Sequence, residues 1–287
     1  MTNNRQILIT SLFGGLGNQM FQYANGASLA ARWNRQLFVD DSWYRRTFNE
    51  SVMTRREFLL DQFPHLSNID RKYSMAMPKL LSRIKSGISG EQWFDDSHGF
   101  MKFEESNKHK ICRLHGYWQD PRYFIDQRQL ICDAFALDFI EMRNSNSLLP
   151  EISEYSSLGI HVRRGDYVTL PDRPGQPRPL SLNYYNQAIE FATLHRQIEK
   201  IYIVSDDPAW CAEHFTGDRF HIVENKNSTI EDFAILQTCD HIVMSNSTYS
   251  WWASWLGRSE NQLAIFPKDW TLARSSSAYF PPTWVGI

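Results

Sequence analysis

Short, dense apolar runs alternate with amphipathic stretches along most of this chain, and the alternation predicts its elements. Residues 5–12 (RQILITSL) have the aliphatic character of a buried strand. Met20, Phe21, Ala24, Ala27 and Ala31 then recur at helical spacing over 18–33, and QLFVD at 36–40 reads as a second strand. Together these make a βαβ opening. The stretch 45–110 offers only short helical patches. Asp120–Pro121 combines an N-cap residue with proline at the first helical position and predicts a helix running to about Phe139. The polar tract RNSNSLLPE (143–151) reads as a hinge. Beyond it the rhythm is regular, with strands at 158–163, 200–205, 219–224, 241–245 and 262–266 and helices at 181–197, 207–215, 229–238 and 247–257. That alternation predicts a parallel sheet covered by helices, an α/β fold, and the hinge divides the chain into domains 1–145 and 146–287.

Composition supports two domains, because 287 residues with 42% hydrophobic content can bury two cores. A formal net charge of −2 lacks the basic excess that phosphate neutralisation needs, so nucleic acid is not an expected partner. Cys112, Cys132, Cys211 and Cys239 lie far apart without a CxxC pair, which fits reduced thiols in a cytoplasmic protein better than zinc or a disulfide framework. The opening apolar run is too short for a signal peptide, and no stretch approaches the ~18 apolar residues of a membrane span. Residues 71–85 hold five cations and no acid. They allow peripheral contact with an anionic membrane, although Pro78 interrupts any long helix and a solvated basic face is the simpler reading.

Ligands of a parallel sheet bind outside the carboxyl ends of its strands, so the residues there are the candidates for chemistry. After strand 158–163 comes HVRRGDY (161–167). Alternation points Ile160 and Val162 toward the core and leaves His161 and Arg163 facing the ligand side, while Arg164 suits a structural ion pair. An arginine at a strand end can grip phosphate through its bidentate fork, the alternative being a structural Arg–Asp bridge. After strand 200–205, Asp206 can accept paired hydrogen bonds from a guanine edge or serve as a helix cap. Capping is the better reading for Asp207, which precedes Pro208. After strand 241–245, SNSTYSWWASWLG places Ser247 and Thr248 beside unpaired amides at a helix start, which is an anion site or an ordinary capped helix. Trp251, Trp252 and Trp255 lie at helical spacing and read as core.

GGLGNQMFQYA (14–24) bares the backbone at a strand-to-helix turn, where glycine permits a left-handed turn or close approach by a ligand. It is not a GxGxxG fingerprint, because Met20 occupies the third glycine's place. GGLGNQMFQYA, LHGYWQDPRYF (114–124), HVRRGDY, YIVSDD and SNSTYSWWASWLG, in that order, resemble the bacterial α-1,2-fucosyltransferases, which move fucose from GDP-L-fucose onto galactose-containing glycans with inversion.

The resemblance implies a GT-B architecture of two Rossmann-like domains facing across a cleft, with an acceptor-side first half and a donor-binding second half. It implies Arg163 on the donor pyrophosphate, His161 in contact with the donor, Asp206 on guanine, and Asn246, Ser247 and Thr248 as phosphate neighbours. Gly14, Gly15, Gly17, Asn18 and Gln19 would meet the donor from the first half. No Asp-x-Asp pair occurs in the chain, so no cofactor or metal is expected, and Arg163 with the helix start would stabilise the departing GDP. Related α-1,6 enzymes carry a glutamate a few residues after the paired arginines, and none follows here. Asp166 is then the nearest candidate base, unless it merely orients Arg163 and a water or phosphate oxygen takes the proton. The expected partners are GDP-fucose and a β-galactoside glycan. A fucosyltransferase of another linkage, a sugar-nucleotide hydrolase and a non-catalytic carbohydrate-binding protein are the competing readings.

Overall fold

The computed structural model describes residues 6–45, 56–71, 91–97, 99–104, 109–169, 177–224, 228–257, 259–270 and 279–287. It divides into two compact units, Met1–Ala136 and Leu137–Ile287.

In the first unit, strands β1 (Ile7–Ser11), β2 (Gln36–Asp40), β3 (Glu91–Asp95) and β4 (Ile111–His115) form a parallel sheet in the order β2-β1-β4-β3. Helix α1 (Leu16–Arg32) crosses from β1 to β2, which is the expected βαβ opening. Leu8, Ile9, Met20, Phe21 and Ala24 seal the helix against the sheet and are buried. Asn34, left-handed at φ 48°, ends α1, and the Arg35 amide reaches back to the Ala30 carbonyl at 2.9 Å. This is a Schellman closure with asparagine in the place usually held by glycine.

The short helical patches read at 45–110 did not disclose β3, which is half-buried at every position and so carries no alternating signal, and β4 just beyond that stretch was not read as a strand either. The single helix expected from Asp120 to Phe139 is also broken up. Asp120 does cap, accepting from the Arg122 amide at 3.0 Å, but two 3₁₀ turns (Pro121–Tyr123 and Ile125–Gln127) follow. Between them Phe124 (φ −141°, ψ 0°) leaves helical geometry with its ring fully buried. Only α2 (Arg128–Ala134) is α-helical. The expected hinge at 143–151 instead lies in α3 (Phe139–Ser145) and α4 (Leu148–Ile152), where Leu149 and Ile152 are buried. The two compact units meet in sequence at Ala136–Leu137, just before α3.

The basic stretch 71–85 lies outside the described residues apart from Arg71. That residue bridges Asp41 at 3.1 Å and Asp61 at 2.9 Å. Among the described residues no helix is long and apolar enough to cross a membrane.

The second unit carries β5 (Ser157–Val162), β6 (Lys200–Ser205), β7 (Phe220–Ile222), β8 (His241–Val243), β9 (Ala264–Phe266) and β10 (Val285–Gly286). Its helices are α5 (Gly165–Thr169), α6 (Leu182–His195), α7 (Pro208–His214), α8 (Thr229–Thr238) and α9 (Thr248–Trp255). All its strands pair in parallel, in the order β10-β9-β8-β5-β6-β7. The chain leaves β5 in one direction through β6 and β7, then returns to build β8, β9 and β10 on the other side. The crevice between β5 and β8 is thus a topological switch point, where open parallel sheets bind ligands. Every residue of β5 is buried. Trp251, Trp252 and Trp255 are 0%, 0% and 3% exposed, so they are core, as their spacing predicts. None of the four cysteines is in a disulfide.

Candidate functional site

Strand register brings the expected residues of the second unit together. Val162 pairs with Ser205 at the carboxyl ends of β5 and β6, so Arg163 and Asp206 leave adjacent strands side by side. Arg163 Nη1 meets Asp206 Oδ2 at 2.7 Å, and Nη2 donates to Asp166 Oδ1 at 2.6 Å. The guanidinium is one-fifth exposed. Burial works against its charge, but Asp206 and Asp166 more than offset this and push its pKa up. A guanidinium has five N–H donors, so these two contacts fix its plane and leave N–H groups to address a ligand anion. The Arg–Asp bridge foreseen as the structural alternative is therefore present.

Asp206 uses its other oxygen as well, accepting from the Arg164 amide at 2.8 Å. It stands as a strut between two consecutive arginines, and a guanine edge would have to share its remaining lone pairs. Gly165 makes the strut possible, because a Cβ there would lie 2.5 Å from Asp206 Oδ2. Arg164 forms the structural pair expected of it, donating from Nε to Asp207 at 3.0 Å and lying 4.2 Å over the Trp210 ring. Asp207 caps α7, accepting from the Trp210 amide at 3.2 Å.

His161 lies deeper than alternation suggested, at 6% exposure. Its Nδ1 is 2.9 Å from the Ser245 hydroxyl, and its ring lies 5.1 Å from that of Tyr249. Burial, helped by the Arg163 charge, lowers its pKa from 6.5 to about 3, so the imidazole is neutral at any working pH. Ser245 and Tyr249 were not among the residues singled out from sequence. Their signal was present in the same SNSTYS run, since Ser245 stands two residues beyond the end of β8, the strand that neighbours β5.

Asn246 is buried and donates to the Arg178 carbonyl at 2.9 Å, and its own carbonyl accepts from the Tyr167 hydroxyl at 3.3 Å. Ser247 caps α9, accepting from the Tyr249 amide at 3.4 Å, while Thr248 opens the helix and is buried. The Ser250 hydroxyl ties back to the Ser245 and Ser247 carbonyls at 3.3 and 3.1 Å. This turn is rigid and lies beside His161 at the switch point.

In the first unit, Gly14 has φ 81° and Gly15 is the extended residue before α1, with open space where a side chain would stand. Gly14, Gly15 and Asn18 are partly exposed, whereas Gly17 and Gln19 are buried. Gln19 is tied to its own unit at both ends of its amide. Its Nε2 donates to the Gly14 and Glu57 carbonyls at 3.2 and 2.8 Å, and its Oε1 accepts from the Leu59 amide at 2.9 Å. The side chain splices the glycine turn to a neighbouring segment, which leaves little for a ligand. The Tyr44 hydroxyl adds a bond to the Gly14 carbonyl at 3.0 Å.

Comparison with known proteins places the chain in a family and its fold in a class. The profile of Glycosyl transferase family 11 matches residues 1–287. The O-antigen biosynthesis glycosyltransferase WbnK of Escherichia coli is 26% identical over 98% of this chain and 100% of its own length. The galactoside α-(1,2)-fucosyltransferase 2 of Bos taurus is 25% identical over 96% of this chain and 77% of that protein. Among solved structures, NodZ α-1,6-fucosyltransferase co-crystallised with GDP superposes with a TM-score of 0.53 at 16% identity, covering 88% of this chain and 93% of its own. That likeness is one of fold, and the fold is of the GT-B class.

Proposed function

The chain belongs to glycosyl transferase family 11, and from that premise we propose that it transfers L-fucose from GDP-L-fucose to the 2-hydroxyl of a terminal galactose in a glycan, with inversion and without a bound metal. The observation that carries the reading is Arg163 held by two carboxylates at the end of the switch-point strand. Relatives named as an O-antigen glycosyltransferase and a galactoside α-(1,2)-fucosyltransferase support the sugar chemistry, and a fold shared with a fucosyltransferase crystallised with GDP supports the donor.

Departure of GDP puts positive charge on the sugar ring and negative charge on the phosphate. Preorganised donors aimed at the leaving group lower that barrier, because they need no reorganisation as charge develops. In this reading Arg163 supplies the positive charge, neutral His161 supplies a hydrogen-bonding group, and the Asn246–Ser247–Thr248 turn offers amides at a helix start. Asp166 acts as a positioning residue: the oxygen that touches Arg163 keeps the fork in plane. A water or a phosphate oxygen then receives the acceptor proton. The cytoplasm is the proposed location, where sugar nucleotides and unfinished glycans meet.

The test is to incubate the protein with GDP-fucose and lactose in the presence of EDTA and to assign the product linkage by NMR. A fucosyl-α-1,2-galactose product is expected, and Arg163→Ala should lower its rate by ~100- to 1000-fold. Release of free fucose at the same rate with and without lactose would point to a hydrolase. Glycan binding with no response to GDP would point to a binding protein, and turnover that requires added magnesium or manganese would overturn the metal-free mechanism.

A further inference from the structure

The proposed donor chemistry leaves the LHGYWQDPRYF stretch without a role, yet the first unit ties its loop down through hydrogen bonds and ring contacts. β1 and β4 are neighbours, with Thr10 opposite Leu114, so the residues that follow them emerge together at the carboxyl edge of the sheet. There the Phe13 ring lies 5.3 Å from His115 and 4.9 Å from Tyr117, which meets it edge-on at 73°. Tyr117 is 46% exposed although it belongs to a cluster of rings.

Several independent features fix this exposed ring. A single oxygen of Asp96 accepts from the amides of both Tyr117 and Trp118, at 2.7 and 3.1 Å. Gly116 allows that approach, since a Cβ there would lie 2.6 Å from the Asp96 carboxylate. Trp118 is left-handed at φ 54° with its side chain fully buried. For a bulky residue that conformation is costly and persists only where its surroundings impose it. On the other side, the Phe13 amide donates to Gln22 Oε1 at 3.0 Å. Two residues along the same loop, Gln119 Nε2 donates to Asn18 Oδ1 at 2.9 Å, so the group its side chain has to offer a ligand hydroxyl is the amide oxygen, an acceptor.

We propose that Tyr117, backed by Phe13, is the platform on which the apolar face of an acceptor hexopyranoside rests, with Gln119 accepting from one of its hydroxyls. A pyranose presents C–H groups on one face and hydroxyls at its rim. A rigid, half-exposed tyrosine with an amide at its edge matches both, because its ring is apolar and little conformational entropy is lost on contact. The site lies at the carboxyl ends of adjacent parallel strands, as such sheets dictate. The assignment rests on the glycosyltransferase reading for calling the sugar an acceptor, whereas the platform itself rests on geometry alone.

The experiment measures saturation-transfer NMR of lactose and of methyl β-galactoside, GDP affinity by calorimetry, and acceptor KM, for wild type, Tyr117→Ala, Tyr117→Trp and Gln119→Ala. Tyr117→Ala is expected to abolish saturation transfer and raise acceptor KM by about tenfold or more, which corresponds to ~1.4 kcal/mol of binding. GDP affinity should stay within about twofold, Tyr117→Trp should retain binding, and Gln119→Ala should weaken it without unfolding the exposed loop. Wild-type protein that gives no saturation transfer to either sugar overturns the platform. So does a folded Tyr117→Ala protein that binds them as wild type does, or one that loses GDP and sugar together. Sugar binding that depends on Tyr117 in a protein unable to transfer fucose would instead keep the platform and sink the transferase reading.

Discussion

Acidification from pH 7.5 to pH 5 should cost the second unit about 2 kcal/mol through His161 alone. The imidazole is 6% exposed and has Ser245 as its partner, with Arg163 two residues along. Burial first, then the arginine charge, lowers its pKa from 6.5 to about 3. Above pH 6.5 the side chain is neutral whether folded or unfolded and contributes no pH dependence. Below that pH the unfolded chain binds a proton that the folded chain refuses, so stability falls by ~1.4 kcal/mol per pH unit until the folded pKa is reached. At pH 5 the deficit is ~1.5 units, hence the ~2 kcal/mol. His241, whose pKa is also lowered, chiefly by burial, contributes in the same direction. Its contribution cancels in a comparison with His161→Asn, whose amide can still meet the Ser245 hydroxyl. Urea unfolding followed by tryptophan fluorescence at both pH values gives the difference of differences. Wild type should lose about 2 kcal/mol more than the variant. Equal losses would show that His161 is protonated as readily in the fold as out of it. A wild type that gains on acidification relative to the variant would mean a charged imidazole with an anionic partner, which is the opposite of the environment described.

Two further outcomes follow from the arginine cluster. Gly165→Ala places a Cβ 2.5 Å from Asp206 Oδ2, so the carboxylate must swing out of its bonds to Arg163 and to the Arg164 amide. A loss of ~1–3 kcal/mol is expected in chemical denaturation, and an unchanged midpoint would show that Asp206 is not a strut. Asp166→Asn should slow transfer by about tenfold while leaving the acid limb of the rate–pH profile in place, because the bond to Arg163 is weakened and no base is removed. Disappearance of that limb with a loss of ~100- to 10,000-fold would make Asp166 the general base after all.

How much of this was legible in the sequence depended on which physical signal each element carries. Strand β6 at 200–205 and helix α8 at 229–238 match their predicted limits residue for residue. The first is a continuous apolar run buried in a parallel sheet, and the second opens with a capping box at Ser228 and Glu231. Alternation along β5 identified Arg163 and separated it from Arg164, because strand period 2 fixes which face a side chain takes. It could not say how far His161 would sink, since depth depends on α9 covering it through Tyr249, a contact between residues 88 positions apart. Gln19 illustrates the complementary limit. A glutamine beside a glycine turn reads as a ligand contact, yet one of its bonds closes on Gly14 and the other two reach Glu57 and Leu59, 38 and 40 residues away. The same limit hid the role of LHGYWQDPRYF, whose Gly116 and Trp118 make sense only once Asp96 arrives from the end of β3. Glycines and aromatics at strand ends were therefore legible as candidates, while the carboxylates and amides that arrive from distant positions decide which of those residues stay exposed.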